Sequence, residues 1–431
     1  MDRRVLFASL ILFAGGAAGV GVALFAFVGV DDGATEAEVI WESDPVAGDD
    51  GSGAVVATMD GDPLVLQSVA VNGTRSVRAT AVGGGVEWTS PVGAGTGGGA
   101  VSADGDGGEA VEAIETSGLV TGTLGGEQIV ALTTDSGSLV VFNAGDGSER
   151  FAVDVGGRSG ARPAIGDVDA DGDAEVVAVS TSGGVLVVDD GGDPVFETDV
   201  GAPIERRPLA IDFGGNGASG DGATNGVAVA TAGGEENSVR LLDADGDVQW
   251  TATPGVTPLS WRQADSQNGP VLALGGTNGN LETLSVADGS TRYEIGLQDL
   301  PVAVGDAGPG RVYVSGSGSV WAVSLLDGEV SWKQQYGGDT RVNAPSLGAV
   351  DGDDEADPAA INREGELLVL NRNGGVTARG SVDAVVYASP QFADVTDDGT
   401  DELVVVTETG KAVAVDVSDR SAGARNALRL P

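Results

Sequence analysis

Six prolines, Pro163, Pro208, Pro258, Pro301, Pro345 and Pro390, are separated by 45, 50, 43, 44 and 45 residues. A period held over half the chain means one supersecondary unit copied in tandem, each copy burying its apolar face against the next. After each proline come a short apolar stretch, a polar or acidic loop, and then runs such as Val176 to Val179, Val227 to Val229, Val271 to Leu274 and Leu403 to Val406. Proline at the start of a strand removes no ladder donor, so it is tolerated there.

Each unit closes on a second signal, a small or acidic turn ending in Gly and followed four residues later by an aromatic. The cases are Gly147 to Phe151, Gly246 to Trp250, Gly289 to Tyr293 and Gly328 to Trp332; Gly85 to Trp88 and Asp193 to Phe196 are one residue shorter. Alternating stretches such as Val185 to Val188 and Val320 to Val323 lie between the two signals, so each unit reads as four strands. Four strands every 45 residues or so is the arithmetic of a β-propeller.

Two further units, Gly53 to Val92 and Gly118 to Val155, precede the proline-led six. The expected fold is therefore an all-β propeller of eight four-stranded blades, with seven as the alternative count. It occupies residues 38–417, with an inserted loop at 93–117 and a tail at 418–431. The last unit ends after Val413 to Val417 without an aromatic strand, and Glu38-Val39-Ile40-Trp41 has the pattern of that missing strand. This predicts a ring closed by its N-terminal strand, leaving no exposed sheet edge at the joint. Trp41, Trp88, Trp250 and Trp332 read as packing between blades, as does Trp321 in its apolar strand. Trp261, beside Arg262 in a proline-led strand, lies where a propeller faces its channel, and there packing is preferred over a stacking or channel role.

The closing segments, for instance Leu242-Asp243-Ala244-Asp245-Gly246-Asp247-Val248-Gln249-Trp250 and Leu325-Leu326-Asp327-Gly328-Glu329-Val330-Ser331-Trp332, resemble the tryptophan-docking repeats of pyrroloquinoline-quinone-type propellers. Those repeats serve enzymes and scaffolds alike, so the resemblance implies a fold more than an activity.

Two loops share one spacing. Asp167-Val168-Asp169-Ala170-Asp171-Gly172-Asp173-Ala174-Glu175 and Asp394-Val395-Thr396-Asp397-Asp398-Gly399-Thr400-Asp401-Glu402 each begin four residues after a repeat proline. Alternate oxygen-bearing side chains in a tight loop can turn inward around one Ca²⁺, which takes six to eight oxygen ligands, and Gly permits the bend. An EF-hand is excluded, because position twelve is Ala178 or Val405. The acid at position nine, running straight into a strand, resembles the FG-GAP loops of integrin-α-type propellers. That resemblance implies side-chain ligands from Asp167, Asp169, Asp171 and Glu175 and a backbone carbonyl from Asp173. Asp394, Thr396, Asp398, Thr400 and Glu402 match them, Thr being the poorer ligand. A third, weaker loop keeps Asp351, Asp353, Glu355 and Asp357 but has Ala349 at position one and Asp354 in place of Gly. The loops after Pro208, Pro258 and Pro301 are expected to be plain turns. The implied ion is structural.

The chain of 431 residues carries 65 acidic and 22 basic residues, a formal charge of −43, and 72 glycines. Nucleic acid is not an expected partner. Such charge opposes a compact fold at low salt, whereas molar salt shortens the Debye length to about 3 Å, so the composition resembles that of haloarchaeal proteins. Cysteine and histidine are both absent. Disulfides, thiol nucleophiles and histidine-based triads are excluded, and so are zinc sites built on imidazole or thiolate.

Residues 5–30 are 26 consecutive uncharged residues, preceded by Arg3 and Arg4 and followed by Asp31 and Asp32. At about 1.5 Å per residue this spans a bilayer. The expectation is an uncleaved single-pass anchor with residues 1–4 inside, a short linker at 31–37 and the propeller outside. The competing reading, a cleaved signal peptide, would show a shorter apolar core and an AxA-like site.

Three function classes follow. The first is a non-catalytic surface scaffold or adhesion module that binds a protein or glycan, and it is the one preferred. The second is a quinone-dependent dehydrogenase, for which the vicinal cysteine pair often found beside that cofactor cannot exist here; the quinone is therefore not an expected cofactor. The third is a carbohydrate-active enzyme using two carboxylates, which spacing among so many acids cannot identify.

Overall fold

The computed structural model describes residues 34–46, 53–59, 61–93, 116–212, 225–231, 237–336, 340–353 and 355–417. The expected anchor at 5–30, most of the 93–117 insertion and the 418–431 tail lie outside these. Among the described residues no helix is long and apolar enough to cross a membrane.

The described chain forms eight sheets of four antiparallel strands, seven of them meanders of consecutive strands and the eighth completed by an N-terminal strand, with a fifth, parallel strand added to one of them. Blade 1 comprises Val55–Met59, Asp62–Val71, Thr74–Ala81 and Val86–Pro91. Blades 2 to 7 follow at 120–154, 164–199, 209–252, 258–296, 303–335 and 346–381, and blade 8 begins at 391. The first strand of every blade lies against the first strand of the next, and Gln391–Ala393 of blade 8 lies back against Val55–Met59 of blade 1. The ring is thus an eight-bladed propeller with first strands innermost. Each repeat proline stands at or just before an innermost strand, as at Pro258–Ser266 and Leu209–Ile211, where the missing N–H leaves no gap in a ladder.

Burial follows distance from solvent. The second strands are covered on both faces, so Glu175–Val179 and Glu402–Val406 are buried throughout and read as continuous rather than alternating apolar runs. Outermost strands alternate, as in Val330–Gln335. Eight apolar clusters occupy the eight gaps between blades. One joins Leu66 and Val77 of blade 1 to Val130 and Phe142 of blade 2, and another joins Val404 and Ala414 of blade 8 to Val65 of blade 1.

At the periphery one contact repeats. The closing aromatic of a blade lies on the turn glycine of the next: Trp88 on Gly147, Phe151 on Gly192, Phe196 on Gly246, Trp250 on Gly289, Tyr293 on Gly328 and Trp332 on Gly374. Only glycine fits, since a Cβ on Gly289 would stand 2.6 Å from Trp250 Cε3 and its φ is +70°. Where the ring carries a donor it also bonds the neighbour's backbone. Trp88 Nε1 donates to the Ala144 carbonyl at 2.9 Å, Trp250 Nε1 to that of Val286 at 2.8 Å, and Trp332 Nε1 to that of Arg372 at 2.8 Å.

Blade 7 breaks this pattern. Ala378 stands opposite Val369, where Trp250 stands opposite Leu241 in blade 4. Its outer edge is instead covered by Thr35–Glu36, which pairs in parallel with Ala378 and Arg379. The chain then crosses to blade 8, where Glu38–Glu42 pairs antiparallel with Ala412–Asp416 as its fourth strand. Trp41 sits opposite Ala414, the register of the other closing aromatics. Residues 35–36, read from sequence as linker, are therefore part of the sheet, and the N-terminal segment stitches two blades together.

Deleting residues 36–44 is expected to lower the melting temperature of the whole domain, and an unchanged value would refute closure by this strand. Trp250→Ala is expected to cost about 3 kcal/mol in denaturant unfolding, and Trp250→Phe less, since it keeps most of the contact with Gly289.

Candidate metal centre

The acidic loops join the innermost strand of a blade to its second strand. In blade 3 the loop leaves Ala164–Gly166 and re-enters at Glu175–Val179. Two left-handed residues, Ala170 at φ 63° and Gly172 at φ 97°, fold it back on itself. Oxygen atoms of Asp167, Asp169 and Glu175 gather within 4.8 Å of one another, the one such carboxylate trio among the described residues. Two oxygens on a single Ca²⁺, each about 2.4 Å away, can be no more than about 4.8 Å apart, so the trio fits one ion.

Asp167 and Asp169 also cap the turn, together with Asp171. Asp171 N donates to Asp169 Oδ1 at 3.2 Å, Asp173 N to Asp171 Oδ1 at 2.8 Å, and Gly172 N to Asp167 Oδ2 at 3.2 Å. Among the described residues, buried Asp167 Oδ1 has no hydrogen-bond partner. An orphaned anionic oxygen beside two further carboxylates is costly unless a cation answers it. Glu175 feels the same deficit. Burial, together with Asp169, Asp171 and Asp167, pushes its carboxyl up to about 7, and burial also raises Asp169. Glu175 has a structural task besides, because its Oε2 accepts the Val168 N–H at 2.7 Å and so closes the loop.

Blade 8 repeats that closing bond, with Val395 N donating to Glu402 Oε2 at 2.7 Å. Here the hydroxyl of Thr396 donates to Glu402 Oε1 at 3.0 Å, and Asp394 accepts the N–H groups of Asp398 at 3.1 Å and Gly399 at 2.9 Å. Thr400 N donates to Asp398 Oδ1 at 2.9 Å. Replacing the second Asp by Thr thus supplies a proton donor where blade 3 has only acceptors. The ligand set predicted for this loop is present but turned toward internal hydrogen bonds.

In blade 7 Asp351, Asp353, Glu355 and Asp357 do not gather in this way. Asp351 and Asp353 cap their own turn, accepting from Asp353 N and Glu355 N, and Glu355 pairs with Arg372. Asp357 takes the place of Glu175; it is buried, its Oδ2 lacks a partner among the described residues, and burial with the neighbouring Asp351, Asp353 and Glu355 lifts it to about 7. Loops 7 and 8 are tied reciprocally, Ala349 N donating to Asp401 Oδ2 and Asp401 N to the Ala349 carbonyl, both at 2.8 Å.

The loop after Pro208, read as a plain turn, contributes to its neighbour. Asn225 Nδ2 donates to the Asp167 carbonyl at 2.8 Å and so braces the blade 3 site from blade 4. The sequence signal for it was an Asn immediately before a buried second strand. Trp261 packs in the core, 4% exposed, and also lines the central cavity, with Nε1 donating to the Arg207 carbonyl at 3.0 Å. None of the described acids of the three loops lines the central cavity.

Residues 235–421 match the family model described as outer membrane protein assembly factor BamB. No curated protein matches the chain by sequence. Among solved structures, BamB from Moraxella catarrhalis is similar at 14% identity and TM-score 0.57, covering 88% of this chain and 99% of that one. Sqt1 from Saccharomyces cerevisiae is similar at 13% identity and TM-score 0.59, covering 89% and 98%. BBS1N, solved in complex with ARL6DN, gives 15% identity and TM-score 0.51 over 69% of this chain and 91% of that one. These likenesses establish the propeller fold, with the repeat type of the BamB model.

At constant ionic strength, calcium at about a hundredfold over its Kd is expected to add about 2.7 kcal/mol to unfolding. Asp167→Asn and Glu175→Gln should each remove most of the corresponding rise in melting temperature, while Thr396→Ala in blade 8 should not.

Proposed function

We propose that this chain is a membrane-anchored, extracellular propeller scaffold, stiffened by structural calcium, which engages a protein or glycan partner at the cell surface and catalyses no reaction. The observation that carries this reading is the position of the acidic loops. They lie between the first and second strands of their blades and contribute nothing to the lining of the central cavity. An ion held there would lock a loop to the sheet, with Asp167, Asp169 and Glu175 as its carboxylate ligands in blade 3, rather than polarise a ligand in the channel.

A protein partner is supported by the company the fold keeps. The matching family model carries the description of an assembly factor, and BBS1N was solved bound to ARL6DN. Anchoring rests on the uncharged run at 5–30 and its basic flank. The large negative charge suits a salty exterior, where screening removes most of the self-repulsion.

The test is crosslinking on intact cells. The full chain should sediment with membranes after an alkaline wash and yield a defined crosslinked partner, weakened when calcium is chelated. Dye reduction after reconstitution with the quinone and calcium, or cleavage of a polysaccharide array, would overturn the non-catalytic reading.

A further inference from the structure

The central channel opens into a cavity of about 620 Å³, a volume suited to a small molecule. In a chain with a formal charge of −43, four of its 22 basic residues line this one space: Arg162, Arg206, Arg207 and Arg262. They come from blades 3, 4 and 5 and form one wall. Among the described residues Asp306 is the single acid in the lining, and its Oδ1 pairs with Arg262 Nη2 at 2.5 Å. Asp306 is also engaged through Oδ2, which accepts the Leu347 N–H at 3.0 Å.

Arg206 is held by its Nε donating to the Pro258 carbonyl at 3.0 Å. Arg162 and Arg207 have no ion pair or hydrogen bond to their guanidinium groups among the described residues. Both are partly buried. Burial, then the neighbouring Arg262 and Arg162, draws Arg207 down to about 10, and burial lowers Arg162. Confining like charges in a partly dry channel is unfavourable unless an anion neutralises them.

The groups are nonetheless held in place. The Trp261 indole fixes the Arg207 backbone, and the Arg162 guanidinium lies over Gly118, where a Cβ would sit 2.7 Å from Nη2. Among the described residues the opposite wall carries no charged side chain and mixes the apolar Val55, Val56 and Phe392 with Tyr387, Ser389 and Gln391.

We propose that this arginine wall binds a small multivalent oxyanion, a compound bearing two carboxylates or a phosphate, with its uncharged remainder toward Tyr387 and Ser389. Guanidinium groups present planar pairs of donors that match both chemistries. The acidic exterior would repel such a ligand at low salt, so the site selects by local geometry rather than by long-range steering.

Calorimetry on the full chain, without added calcium and at constant ionic strength in sodium chloride, tests this with succinate and inorganic phosphate as probes. At least one probe should bind one per chain. Arg162→Gln and Arg207→Gln should each weaken it at least tenfold, the corresponding Lys variants less, and Arg158→Gln, at an exposed ion pair with Asp135, not at all. Should the Gln variants fail to fold, probe-induced protection from hydrogen exchange in the unaltered chain must fall around residues 162, 207 and 262. Binding of neither probe overturns the proposal, as does binding that survives both Gln variants or protection elsewhere. Heat from an oligoglutamate peptide with none from either probe also overturns it, since the channel would then read a protein partner.

Discussion

Everything in this molecule depends on one joint, the antiparallel pairing of Glu38–Glu42 with Ala412–Asp416. Each of the other sheets obtains its own four strands from a continuous stretch of chain, whereas blade 8 obtains its outermost strand from the opposite end of the domain. Without that strand blade 8 would expose a ladder of unpaired backbone groups, and the Trp41 ring would be lost from the gap beside blade 1. The joint converts a row of repeats into a ring in which every blade has two neighbours.

The joint is reinforced where the rest of the periphery is weakest. Blade 7 has Ala378 in place of the docking aromatic, and Thr35–Glu36 covers that edge. Ala37 then lies against Gly380, where a Cβ would approach its own Cβ to 2.5 Å. A main-chain addition thus substitutes for a side-chain dock. The two solutions cover outer blade edges by different means, one through an aromatic on a glycine and the other through backbone hydrogen bonds such as Ala37 N to the Arg379 carbonyl at 2.7 Å.

Charge is handled locally within a strongly anionic molecule. Buried acids at the entry to the second strands, Glu175, Glu402 and Asp357, all have carboxyls raised by burial. Among the described residues, only in blade 3 do three carboxylates converge within 4.8 Å, with an orphaned Asp167 oxygen beside them. In blade 8 a threonine hydroxyl answers the same glutamate. The channel presents the inverse problem, cations gathered with one acid among them.

The repeat period, the eight units, the closing aromatics and the N-terminal closing strand were all legible in sequence, because each rests on a spacing that strand geometry and blade stacking impose. The acidic loops were legible as a pattern. Which of them could gather carboxylates was not, since that turns on whether Thr396 points its hydroxyl at Glu402 and on a brace from Asn225 in the next blade. Two residues, Thr35 and Glu36, carry no periodic signal, so their strand appears only through its partner. The arginine wall left a trace, a basic residue directly before the repeat proline at Arg162-Pro163 and again at Arg207-Pro208. Tertiary structure alone decided that these meet. Residues 45 apart come side by side on one wall only because the ring turns each proline-led strand toward one axis, and sequence records the period of that turn but not what lies across it.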